Sequence, residues 1–331
     1  MGDNSYAFAV ARIRVKEKKL LTDADISQLA AMKDEASALA FLSDRGWGSQ
    51  DGSKNAEAML SAEEEKNWAL MKELKIDPAI FDVLGYPKLF HNLKAGIKEV
   101  CTDGNHERIF YDLEHYGREE MMRIVREKDY AAFPEYMRGT AAQAYEVMVN
   151  TGDGQRCDVI VDRGCLEAMS AEGKRMKNDM MRQYVASQVA VSDIRIAVRS
   201  ARTGKTYAFL KEALADCDAF STEGMAQAAA RGEDALYTYL QENGYGEAVE
   251  AIRESPSAFE RWCDNRLIET IRPQRMNSVS VSPIVAFYLA RENEIRMARI
   301  ILTAKANGFS EETIRERVRK MYVSDCGNGR L

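Results

Sequence analysis

Apolar residues recur at helical spacing along almost the whole chain, and no convincing run of period-two alternation interrupts them. The stretches are 6–21, 24–45, 56–74, 78–101, 106–128, 140–150, 160–202, 222–242, 257–271, 283–306 and 311–322. A chain patterned this way buries its apolar stripes by packing helix on helix, so the fold class is all-α. The 160–202 stretch reads as two helices, or as one with a bend. Composition agrees, because only six prolines occur while Ala, Glu, Met, Arg and Leu are plentiful.

The boundaries between helices say more than the helices. Thr22, Ser221 and Ser310 each stand where a helix begins, with an apolar residue just before and another four places after. In that position the hydroxyl accepts from an orphan backbone amide and the apolar pair forms a hydrophobic staple. Each cap contributes on the order of 1 kcal/mol. Glycine endings follow these starts at similar distances: "FLSDRGWG" ends at Gly46 and Gly48, and "YLQENGYG" at Gly244 and Gly246. A third copy, "VMVNTGDG", carries Gly152 and Gly154, although its start is degenerate, with Phe133-Pro134 in place of a clean cap.

A second recurring element has the same period. Asn92-Leu93-Lys94, Asp193-Ile194-Arg195 and Glu294-Ile295-Arg296 each read polar acceptor, aliphatic, cation, at intervals of 101 residues. Each lies late in a helical stretch that ends near a glycine, Gly104, Gly204 or Gly308. The acceptor set is either a polar ladder between units or a helical surface position that drifted into similar chemistry. In the first copy Gly85-Tyr86-Pro87 predicts a kink.

The chain therefore reads as three helical repeats of about 100 residues, 1–104, 105–204 and 205–323, followed by a flexible tail, 324–331. Each repeat runs capped helix, glycine ending, long helix, and the last adds a closing helix from Ser310. Stacked helical units bury a shared face that none could bury alone. Three diverged copies are too few for a regular solenoid and favour a compact pseudo-threefold body. The endings at Gly46, Gly152 and Gly244 are candidates for one functional end of it, or serve only to close helices in left-handed geometry.

The same chain carries little recognisable chemistry. "RTGKT", residues 202–206, resembles the end of a phosphate-binding loop, but Arg199 stands where that loop needs glycine. "TGDGQRCD", residues 151–158, lacks the alternating carboxylates and closing glutamate of a calcium loop. His91, His106 and His115 have no zinc spacing, and no nucleophile motif is present. Runs such as Glu63-Glu64-Glu65 read as solvated helix faces. No catalytic, cofactor-binding or metal-binding residue is assigned. Acidic and basic residues interleave to a net charge of −6, with no basic block to mark nucleic acid. No apolar stretch is long enough to insert in a bilayer. Six scattered cysteines without paired spacing, and no secretory pattern, favour a reduced cytoplasmic setting.

The segments "YAFAVARIRVKEKKLLT", residues 6–22, the "GWG" and "GYG" endings, and "FYLARENEIRMARIILTAKANGFSEETIRERV", residues 287–318, resemble the C subunit of bacterial and archaeal V/A-type ATPases. The eukaryotic counterpart is the d subunit of the vacuolar proton pump. The order of elements agrees over essentially the whole chain, most specifically at its C-terminal end and most loosely over residues 105–160. The resemblance implies a funnel of three similar helical domains in the central stalk, on the cytoplasmic side of the membrane. It implies a non-catalytic role as a socket between the rotating shaft, subunits D and F, and the proteolipid rotor ring that carries protons or sodium ions. It implies no cofactor and no direct membrane insertion. Two other readings fit the same residues: an unrelated helical scaffold for some other protein partner, and an all-helical enzyme whose site is assembled from distant residues.

Overall fold

A computed structural model of the chain describes residues 6–49, 55–102, 109–278 and 280–324. Gly104, His106 and the tail from residue 325 onward lie outside these described residues. The fold is all-α, with one isolated bridge, Thr22 to Val323, as the β pairing among the described residues.

In chain order the helices are α1 (Ala7–Glu17), α2 (Asp23–Ala31), α3 (Glu35–Asp44) and α4 (Ala56–Glu73). There follow α5 (Ala79–Thr102), α6 (Arg118–Glu127), α7 (Glu135–Thr151) and α8 (Gly154–Arg175). Next come α9 (Asp179–Arg202), α10 (Tyr207–Ala213), α11 (Thr222–Arg231) and α12 (Glu233–Glu242). The last four are α13 (Gly246–Glu254), α14 (Pro256–Ile271), α15 (Ser282–Ala306) and α16 (Glu311–Arg317). The chain divides into two compact units: unit one is Met1–Asp77 with Glu247–Leu331, and unit two is Pro78–Gly246.

Unit one joins the two ends of the chain around α15. That helix is buried along most of its length, through apolar residues and through Asn293 and Glu294. It packs against α1, α2, α3, α4 and α16. Ile295, Ala298, Ile301 and Leu302 of α15 share one core with Leu21, Ile26, Leu29, Phe41, Leu42, Trp47, Met59 and Leu60. After α16 the chain is extended, and Met321 donates its amide to Asp23 at 2.8 Å. The closing helix read over 311–322 therefore stops at Arg317, and the residues after it lie beside the start of α2.

Unit two is a succession of packed helices. α6 and α7 lie on α5, α8 touches α5, α7, α9 and α10, and α9 receives α11 and α12. Small residues permit the close crossings. A Cβ added at Gly164 of α8 would overlap the Thr140 side chain of α7. At Gly96 of α5 it would lie 2.8 Å from Met121 Cγ of α6.

All three hydroxyl caps form. Thr22 accepts from the amide of Asp25 in a full capping box, Ser221 from Gly224 and Ser310 from Thr313. Pro134 precedes α7 with no side-chain cap. Two long stretches are helix pairs instead. Residues 24–45 break before the second cap, Asp34, and 222–242 break at Gly232, whose φ is +115°. The 160–202 stretch is likewise two helices, α8 and α9. The helix read over 106–128 begins only at Arg118, and α5 runs unbroken through Pro87.

Candidate functional site

The three long helices α5, α9 and α15 each carry a fully buried member of the recurring acceptor set, Asn92, Asp193 and Glu294. Burial excludes the surface alternative for the set. A buried polar group must find a partner, and each of these finds a backbone amide. Asn92 Oδ1 accepts from the Tyr111 N–H at 2.8 Å, while its Nδ2 donates to the carbonyls of Tyr111 and Tyr116 at 2.9 and 3.2 Å. Asp193 Oδ1 accepts from the Ala215 N–H at 3.1 Å. Glu294 Oε1 accepts from the Leu21 N–H.

Each gripped amide lies just ahead of a helix pair. Tyr111 precedes α6 and α7, Ala215 precedes α11 and α12, and Leu21 precedes α2 and α3. The order is cyclic. α5 holds the pair that follows it, α9 does the same, and α15, last of the three in the chain, reaches back to the first pair.

Each pair ends on one of the glycines singled out in the sequence. Gly46, Gly152 and Gly244 have φ of +82°, +64° and +83°, with nothing within 4 Å of an added Cβ. Backbone geometry, not crowding, requires glycine there. Gly46 and Gly244 share one closure: Gly46 donates to Ser43 and Trp47 to Leu42, while Gly244 donates to Gln241 and Tyr245 to Leu240. Gly152 instead makes a single bond to the carbonyl of Met148. The second glycines differ more. Gly154 and Gly246 open α8 and α13, whereas Gly48 has φ +88° and no helix begins at it.

The surroundings of the three buried residues differ in charge. Glu294 pairs with Arg291, which also pairs with Glu63 of α4 and lies over the Trp47 ring, 4.8 Å from its centre. Glu63 accepts from the Gly48 amide at 2.8 Å and from Lys66 at 2.6 Å. Glu63 is therefore no part of a solvated face, as its neighbours Glu64 and Glu65 suggested; it is 4% exposed. Burial pushes the Glu294 carboxyl up from its ordinary range, while Arg291 and the Leu21 amide pull it back. Asp193 makes no such ion pair among the described residues, and its Oδ2 has no partner there either. Burial pushes its pKa up to about 7, with the charges of Asp216 and Glu167 adding to the rise and the Ala215 amide and the charge of Arg163 opposing it. Sequence reasoning missed Glu63 and Arg291. Only the spacing of Arg291, one helical turn before Glu294, offered a signal.

The rejected motifs have plain structural accounts. In "RTGKT", α9 ends, Gly204 takes φ +62°, and Thr206 caps α10. In "TGDGQRCD", Asp153 accepts from the Arg156 amide at the start of α8. His91 bonds the carbonyl of Ile109 at 2.8 Å. Among the described residues no group of three or more His, Cys, Asp or Glu is placed to hold a metal. No helix among them is long and apolar enough to cross a membrane.

Fold and site together define an all-α protein whose buried acceptors secure its own backbone at the starts of helix pairs. The chain belongs to the ATP synthase (C/AC39) subunit family, whose match spans residues 9–317. It is 22% identical over 274 residues to the C subunit of the V-type sodium ATPase of Enterococcus hirae, covering 81% of this chain and 83% of that one. It is 25% identical over 349 aligned positions to the C subunit of the A-type ATP synthase of Halorubrum lacusprofundi, covering 95% and 97%. The corresponding A-type ATP synthase protein of Haloferax volcanii is 23% identical, also over 95% and 97%.

Proposed function

We propose that the chain is a non-catalytic central-stalk subunit of a V/A-type rotary ATPase. In this reading it is a socket that links the rotating shaft, subunits D and F, to the membrane rotor ring on the cytoplasmic side. The observation that carries the reading beyond family membership is the cyclic order of the buried acceptors. A torque-bearing part must resist shear between its helices, and each acceptor fixes a long helix to the start of a helix pair. The repeats proposed for residues 1–104, 105–204 and 205–323 are then equivalent in construction, with Asn92, Asp193 and Glu294 in matching roles. The glycine closures at Gly46, Gly152 and Gly244 mark one end of each, and that end is proposed as a contact surface. Attachment to loops of the ring needs no spanning helix.

Affinity purification of the tagged chain from its own cells tests the proposal. Co-purification of shaft and ring subunits is the expected result. An intact ATPase recovered from the same lysate without this chain overturns it.

A further inference from the structure

Helix α1 is apolar on two opposite faces. Ala9, Val10 and Ile13 are buried on its inner face, and the helix packs against α15. Phe8, Ala11 and Val15 lie on the other face, exposed, at the spacing of one helical stripe about 10 Å long. Phe8 is 77% exposed and Val15 63%. The turn Arg272–Met276 adjoins the helix, because Arg14 donates to the carbonyls of Gln274, at 2.8 Å, and of Asn277. Met276 in that turn is 88% exposed. Apolar residues scattered singly on a surface are ordinary, but Phe8 and Val15 share one stripe, and an uncovered stripe marks a contact surface.

The charges beside the stripe narrow what covers it. Along its flanks the cations are already committed: Arg12 pairs with Glu73 and Arg14 with Glu17, both at 2.7 Å. Lys16, Lys18 and Lys19, at the C-terminal end of α1, have no ion-pair partner among the described residues, and the last two are exposed. Unmatched positive charge is therefore confined to one end of the stripe. An anionic lipid surface calls instead for cations along the whole polar face of a helix. A helix laid antiparallel to α1 brings its own N-terminus to the lysine end, and Asp and Glu are favoured in that first turn by the helix dipole. A second copy of this chain does not meet the need, since the first turn of α1 holds no acidic residue.

We infer that the outer face of α1 receives an amphipathic helix from an adjoining subunit of the ATPase. That helix runs antiparallel to α1, lays an apolar seam along Phe8, Ala11 and Val15, and sets Asp or Glu of its first turn beside Lys18 and Lys19. The inference rests on the proposed place of the chain in a rotary ATPase.

A photo-reactive residue at position 11 of the chain in the assembled complex tests it, together with the double variants Phe8→Ser/Val15→Ser and Lys18→Glu/Lys19→Glu. All four side chains are exposed, and circular dichroism checks that the variants fold. The expected crosslink falls on a helix of another subunit that has an acidic first turn. Retention of the chain in the complex should weaken roughly tenfold or more in each double variant. Changing the acidic residues of the crosslinked helix to Lys should restore retention of Lys18→Glu/Lys19→Glu. Unchanged retention in either double variant overturns the inference and leaves the proposed function standing. So does the absence of a crosslink, or one confined to lipid, to a second copy or to this chain. A wild-type chain absent from the intact complex overturns both.

Discussion

Asp193 in unit two and Glu294 in unit one occupy matching places on long helices and do the same job, yet they solve its electrostatics in opposite ways. Glu294 is buried with a counter-ion, Arg291, which it shares with Glu63, and Lys66 completes the charge balance. Asp193 is buried with one amide and no ion pair among the described residues; Arg163 acts on it through charge alone, and its pKa rises to about 7. Asn92, the third member, avoids the question by being neutral and satisfies both ends of its amide on backbone. The shared requirement is an acceptor for one orphan N–H. Charge is incidental to it, and its burial must be compensated either by a cation or by a proton.

The comparison breaks most visibly if the cation is taken away. Arg291→Met leaves Glu63 and Glu294 buried with Lys66 as the one cation still paired to either among the described residues, and it pairs with Glu63 alone. Removing one partner of a buried pair costs about 3–5 kcal/mol. Urea unfolding should show a loss of that order, with amide exchange rising first around Leu21 and α2. Adding Glu294→Gln to the same variant should recover part of the loss, since a neutral amide still accepts from Leu21. A loss below about 1 kcal/mol would show that the network adds little to the grip.

The next effect separates Asp193 from Asn92. The folded pKa of Asp193, about 7, lies above the ordinary 3.8, so its stabilising contribution is fully present below 3.8 and is lost as pH rises through 7. Asp193→Asn should therefore stabilise the protein by roughly 1–3 kcal/mol near pH 8 and by little below about pH 4. The reciprocal change, Asn92→Asp, sets a carboxylate against the Tyr111 and Tyr116 carbonyls that Asn92 now donates to. It should destabilise, and more at the higher pH. Thermal melts of both variants across that range check the pair. Parallel curves for wild type and Asp193→Asn would mean that Asp193 is ionised throughout.

Much of this was legible in the sequence, and the gaps have physical causes. Hydroxyl caps and glycine endings are local chemistry, so Thr22, Ser221, Gly46 and Gly244 could be read from neighbouring residues alone. The 101-residue interval picked out Asn92, Asp193 and Glu294, but periodicity could not say that they face inward. All three accept from amides outside their own helices, and Glu294 reaches back across almost the whole chain to Leu21. The breaks at Asp34 and Gly232 were missed because apolar spacing continues across a one- or few-residue turn. Glu63 was misread because a run of three glutamates looks solvated, while helical geometry points one of them toward α15. That assignment depends on a partner 228 residues away, which no local pattern encodes.

The smallest expected effect bears on why two of the glycine closures match and the third does not. At Gly46 and Gly244 a left-handed residue lets the following aromatic, Trp47 or Tyr245, return its amide to the helix. Trp47 is buried in the unit-one core, and Tyr245 meets Phe220 edge-on at 5.9 Å. No neighbour crowds either glycine, so substitution tests backbone strain alone. Gly46→Val and Gly244→Val should each cost roughly 1 kcal/mol or more, and the Asn variants less, because Asn tolerates the left-handed region. Gly152→Asn should be the mildest, since its closure makes one bond and ties down no following aromatic. Chemical denaturation of the three Asn variants beside the two Val variants ranks them. Equal stability of Gly46→Val and wild type would show that the recurring glycine is a relic of repetition, and that the helix pair can close without it.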